Sequence, residues 1–128
     1  MNTIPALQKS NAVSDASLEI KIHEFYRGML INPLKKIPPI STIASGMNMT
    51  VPKFQAAFKR IYGHAPYQAY MNIRLEYAKQ ILCTGQFRVW QVSAMLGYSQ
   101  SAKFVLIFRE KTGLTPKQFV QVNKKKLL

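Results

Sequence analysis

Apolar residues recur at three- and four-residue spacing along most of this chain, the period of helices with one buried face. No Asn-Gly or related hairpin dipeptide sits between alternating runs, so strand signals are absent. The pattern predicts an all-α fold of seven helices. Residues 1–17 mix Asn, Ser, Ala and Thr without periodicity and read as a flexible segment or interdomain linker. Ser17 is placed to cap a first helix with apolar positions at Leu18, Ile22, Phe25, Met29 and Leu30. That helix stops at Asn32-Pro33, and Pro38-Pro39 forbids helix in the basic connector over 34–39. The folded domain is expected over 18–122, followed by a basic tail over 123–128.

Sliding the sequence on itself exposes an internal repeat. At an offset of 49, Ile40, Ile43, Ala44, Met47, Asn48, Met49 and Thr50 fall on Val89, Val92, Ser93, Leu96, Gly97, Tyr98 and Ser99. At an offset of 50, Phe54, Phe58, Gly63, Pro66 and Gln68 fall on Phe104, Phe108, Gly113, Pro116 and Gln118. One residue is therefore inserted just after the turn in the second copy. The copies, about 40–63 and about 88–113, are too short for globular domains but right for supersecondary units.

Each copy has the physics of a helix-turn-helix. Ile43 and Met47, or Val92 and Leu96, lie at i, i+4 on the core side of a short helix. Ala44 and Ser93 are small and let the next helix cross closely. Gly97 suits a left-handed turn residue, and Asn48 is the next-best choice. Thr50 and Ser99 then offer side-chain oxygens to cap second helices over about 51–62 and 100–112. Gly63 and Gly113 end those helices, and Pro66 and Pro116 start the next ones. Between the units runs one long helix over about 66–84, with Tyr70, Ile73, Tyr77, Ala78, Ile81 and Leu82 on its apolar side and Gly85 as its cap. It spans roughly 27 Å, approaching the ~34 Å repeat of B-DNA.

Composition narrows the function. A chain of 128 residues with 48% hydrophobic content is one compact domain or two very small ones, with enough apolar surface for a real core, not a disordered polyampholyte. No apolar run is long enough to span a membrane, and no secretory leader pattern is present. The single cysteine, Cys83, makes no internal disulfide and fits a reducing cytoplasm. The net charge of +13 is unevenly placed. Residues 1–32 balance Lys9, Lys21 and Arg27 against Asp15, Glu19 and Glu24, so residues 33–128 carry the whole excess, opposed only by Glu76 and Glu110. A folded region this basic calls for a polyanion, nucleic acid first.

The run Ile73-Arg74-Leu75-Glu76-Tyr77-Ala78-Lys79-Gln80-Ile81-Leu82, with residues 92–98 and 104–119, resembles the AraC/XylS family of bacterial transcription regulators. The resemblance covers about residues 20–122, the family's C-terminal DNA-binding domain. It implies two helix-turn-helix units joined by the long helix, each inserting its second helix into adjacent major-groove segments of promoter DNA. It also implies activation or repression of transcription, RNA polymerase as a partner, and a cytoplasmic, nucleoid-associated protein. Family members usually carry a sensory domain upstream, so the chain is either a fragment of a larger regulator or a stand-alone member.

Helical geometry and the resemblance together select the candidate base-contacting residues. In the first unit they are Val51, Pro52, Gln55 and Ala56, with Gln55 the best direct reader because an amide pairs bidentately with adenine. In the second they are Ser101, Ala102, Val105 and Leu106. The family commonly has a polar-arginine pair where this chain has Val105-Leu106. Those side chains pack on thymine methyls, contact a partner protein, leave the second unit as a phosphate clamp, or lie on a helix more buried than usual. Candidate phosphate contacts are Lys53, Lys59, Arg60, Arg88, Lys103, Arg109, Lys111, Lys117 and Gln118, the last two through helix-start amides as well. Arg74 is left between a DNA role and pairing with Glu76 or Glu110.

Enzymatic chemistry has no support. Five acidic residues form no convincing acid–base pair, and His23, His64 and Cys83 lack metal-ligand spacing, so no catalytic residue, cofactor or metal is expected. Trp90, Tyr98 and the phenylalanines sit at core-type spacing. The reading from the sequence is a sequence-specific double-stranded DNA-binding domain of a transcription regulator. The alternative is a degenerate member acting mainly as a protein-interaction module with RNA polymerase or another regulator.

Overall fold

Seven helices follow one another in a computed structural model that describes the backbone of residues 3–127 and the side chains of residues 16–124. They are α1 (Thr3–Ile31), α2 (Ile40–Gly46), α3 (Val51–Tyr62), α4 (Pro66–Cys83), α5 (Val89–Met95), α6 (Ser101–Thr112) and α7 (Pro116–Leu127). There is no strand among the described residues. The fold is therefore the all-α, seven-helix arrangement that the hydrophobic spacing predicts. The chain divides into two compact units, Met1–Ala69 and Tyr70–Leu128, with the boundary inside α4.

Both ends of the chain are more helical than the sequence pattern suggests. Helical backbone starts at Thr3, well before the cap expected at Ser17. The stretch lacks an amphipathic period, yet it is rich in helix-tolerant Ala, Leu, Gln and Lys, and its one proline, Pro5, falls in the first turn, where the missing N–H costs nothing. Likewise α7 continues to Leu127 through residues expected to form a tail, with Lys124 exposed.

The core of the first unit is aromatic. Phe54 and Phe58 of α3 are fully buried, and Phe25 of α1 meets them edge-on at 5.9 and 6.1 Å between ring centroids. Tyr26 stacks on Tyr62 at 3.9 Å, and Tyr62 also hydrogen-bonds His23 Nδ1. Burial, with the Tyr26 phenol beside it, raises the pKa of the Tyr62 hydroxyl above its ordinary value. Ile22 and Met29 complete the buried stripe of α1. Leu30, expected on that stripe, is half exposed, because it follows Met29 by about 100° of helical rotation.

The second unit repeats the scheme around Phe104 and Phe108 of α6, with Tyr98 from the preceding turn and Phe119 from α7 packed against them. Arg74 of α4 is buried here, lying 5.1 Å from the Tyr70 ring centre and donating to the carbonyl oxygen of Leu96. Glu76, one of its expected partners, instead accepts from Lys79 at 2.7 Å. Trp90 corrects the sequence reading: it projects from the first turn of α5 with 59% of its surface exposed, so its spacing does not make it a core residue.

Candidate nucleic-acid interface

The two turns close with the same pair of backbone hydrogen bonds. In the first, the Met49 N–H reaches the Ala44 carbonyl (2.9 Å) and the Asn48 N–H the Ser45 carbonyl (3.0 Å). In the second, the Tyr98 N–H reaches Ser93 (3.0 Å) and the Gly97 N–H reaches Ala94 (2.9 Å). This pair of bonds is a Schellman motif, and it forces the residue at its corner into the left-handed region. Asn48 has φ 56° and Gly97 has φ 88°, as their residue types suggested. Ala44 and Ser93 are each 1% exposed, as small residues facing a neighbouring helix would be.

The helices after the turns start differently. Thr50 caps α3, its hydroxyl accepting from the Lys53 N–H at 3.3 Å. The expected counterpart, Ser99, does not cap α6. Gln100 occupies the capping position and makes no side-chain cap bond. The cause is the inserted residue, which separates Ser99 from the helix by one position and puts Gln100 where Thr50 stands in the first unit.

Once started, α3 and α6 are superimposable in sequence at a constant offset of 50. At about 100° per residue, Ala56 lies opposite the buried pair Phe54 and Phe58, and Leu106 lies opposite Phe104 and Phe108. Around Ala56, Pro52, Gln55, Lys53, Lys59 and Arg60 are all exposed, with Val51 half-buried at the helix start. Around Leu106, Ala102, Lys103 and Arg109 are exposed, while Ser101 and Val105 are half-buried. Leu106 itself is 57% exposed, so α6 is not a helix buried more than usual. The basic flanks Lys53/Lys103 and Lys59/Arg109 recur in the two copies, whereas the centre changes from Gln55-Ala56 to Val105-Leu106.

The remaining cations are also accessible. Arg88, Lys111 and Lys117 are exposed, and Arg60 lies 3.9 Å from Glu19 in an exposed ion pair of the kind that exchanges partners readily. Gln118 corrects part of the expectation. Its N–H donates to the Thr115 hydroxyl (3.2 Å) and its Oε1 accepts from the Thr115 N–H (3.0 Å), a reciprocal cap that occupies the amide assigned to phosphate. The signal was legible as Thr115 followed three residues later by Gln118. Arg74, buried against Tyr70 and Leu96, belongs to the scaffold.

A family model described as a helix-turn-helix domain matches residues 43–121. The chain is 29% identical over 82 residues to the MmsAB operon regulatory protein of Pseudomonas aeruginosa, a match covering 64% of this chain and 27% of that protein. The chain thus spans about a quarter of that relative's length. A transcriptional regulator from Chromobacterium violaceum, described as having an AraC-type DNA-binding domain, shares the fold with a TM-score of 0.68 at 23% identity, covering 83% of this chain and 94% of the other. The DNA-binding domain of the global transcriptional factor AdpA, solved with a target DNA, aligns with a TM-score of 0.71 at 21% identity, covering 82% and 94%.

Proposed function

The chain belongs to the AraC/XylS family as its helix-turn-helix DNA-binding domain, and we propose that it reads promoter DNA by inserting α3 and α6 into successive major-groove segments. One observation carries the reading. Two copies of the same helix-turn-helix each turn a solvent-facing helix outward, and each such helix is flanked by cations at the same positions, Lys53 and Lys59 in one, Lys103 and Arg109 in the other. Side chains at those flanks reach phosphates and fix register, while the face between them meets base edges. Gln55 is the one side chain on either central face with an amide, which pairs with adenine N6 and N7.

The transcriptional outcome follows from where such a domain sits on a promoter, with RNA polymerase as the proposed partner in activation and, if the chain is a fragment of a larger regulator, an upstream sensory domain as the proposed source of regulation. The test is selection of duplexes from a random pool, followed by binding of the selected duplex over a range of salt. Two specified blocks about one helical turn apart are expected. With about six phosphates neutralised, log affinity should fall against log salt with a slope near −5. A slope shallower than about −2, or a single block, overturns the two-helix reading.

A further inference from the structure

We infer that α6 selects thymine through its C5-methyl groups, Leu106 and Val105 forming an apolar reader where hydrogen-bonding side chains would ordinarily stand; the inference rests on the DNA-reading role of α6 proposed above. Leu106 points directly away from the buried Phe104 and Phe108, and 57% of its surface is exposed. Ala102, one turn earlier on the same face, is exposed, and Val105 beside it is half-buried. None of the three carries a donor or acceptor, so a base edge gains nothing from them by hydrogen bonding.

The major groove has one apolar landmark, the thymine methyl, which side chains of this kind contact. The flanks decide between a base edge and a protein as the occupant. Lys103 and Arg109 lie three residues before and after Leu106, on the same exposed surface, and both are exposed. Protein–protein interfaces are depleted of lysine though enriched in arginine, so Lys103 is the flank that argues against a protein occupant. A narrow apolar strip between two cations instead fits a groove floor bearing methyl groups between two phosphate walls. The first unit gives the contrast: the same cationic flanks enclose Gln55 and Ala56, so the two helices share their backbone clamp and differ in what they read.

Uracil is thymine without the methyl, which makes the test chemical. Each dT of a selected duplex is replaced singly by dU, and affinity is measured for the wild-type chain and for Leu106→Ala. The wild type should lose about fourfold at one or more positions in one block, the effect of one methyl no longer leaving water. Leu106→Ala should bind dT and dU alike at those positions, and its helical circular dichroism checks that it is folded. Equal affinity of the wild type for dT and dU throughout the site overturns the inference while leaving the DNA-reading role intact. Failure of the folded wild type to prefer any duplex overturns the DNA-reading role itself.

Discussion

The buried Arg74 guanidinium donates a hydrogen bond to the carbonyl oxygen of Leu96, the residue that closes α5 just before the left-handed Gly97. A charged donor thus ties α4 to the corner that leads into α6. Arg74→Leu leaves that carbonyl without its donor and should destabilise the second unit by about 1–3 kcal/mol. Urea denaturation followed by circular dichroism reads the change. The same variant, kept folded, should retain the wild-type salt slope in DNA binding, since Arg74 touches no phosphate in this account; a slope shallower by about one would make it a phosphate ligand instead.

The turn corners predict an asymmetric response to substitution. Asn48→Gly should be close to neutral, because the left-handed backbone at φ 56° suits both residues. Asn48→Val should cost about 1–2 kcal/mol. At Gly97 an added Cβ meets no heavy atom within 4 Å, so Gly97→Ala should cost about 1 kcal/mol from the backbone alone. Thermal melts of the three variants check this. Equal melting temperatures would mean that the corners tolerate any residue.

Much of this fold could be read from the sequence because the repeat supplies two independent copies of each signal. The corner at Asn48 and Gly97, the paired phenylalanines and the prolines opening α4 and α7 were all visible as residues with one physical use. What escaped were contacts that depend on partners distant in sequence. Arg74 could not be assigned because its acceptor, a main-chain carbonyl at Leu96, leaves no mark on residue type. Trp90 looked like core because aromatics usually are, yet the first turn of α5 points it outward. The insertion before α6 was legible, but its consequence, that Ser99 loses the capping position to Gln100, needed the backbone. Helical periodicity predicts exposed positions for Lys53, Lys59, Lys103 and Arg109, and the structure exposes them, whereas the cap between Thr115 and Gln118 engages an amide that periodicity alone left open.

Ser93 is the second copy's counterpart of Ala44, and the resemblance ends at its hydroxyl. The Oγ atom is buried and has no hydrogen-bond partner among the described residues. Ser93→Ala removes an unsatisfied polar group without changing the close helix crossing, so it should be neutral to stabilising by on the order of 1 kcal/mol. A destabilisation of similar size in urea melts would reveal an acceptor or water that satisfies the hydroxyl.

Binding by α3 and α6 should respond differently to loss of a central residue and loss of a flank. Gln55→Ala should cost roughly 1–3 kcal/mol of discrimination at one or two base pairs while leaving binding to unrelated duplexes nearly unchanged. Arg109→Ala should weaken binding to all duplexes alike and make the salt slope shallower by about one. Affinities on a panel of single-base variants separate the two patterns. A uniform loss for Gln55→Ala would move it from base reading to backbone contact.

Fluorescence anisotropy of one labelled duplex tests sequence-specific recognition of duplex DNA directly. The wild-type chain is titrated at physiological salt against a duplex selected from a random pool and against the same bases in scrambled order. Sequence-specific reading requires the selected duplex to bind about a thousandfold or more tightly. Equal dissociation constants for the two duplexes would contradict it, reducing α3 and α6 to cationic surfaces that grip phosphates without reading bases.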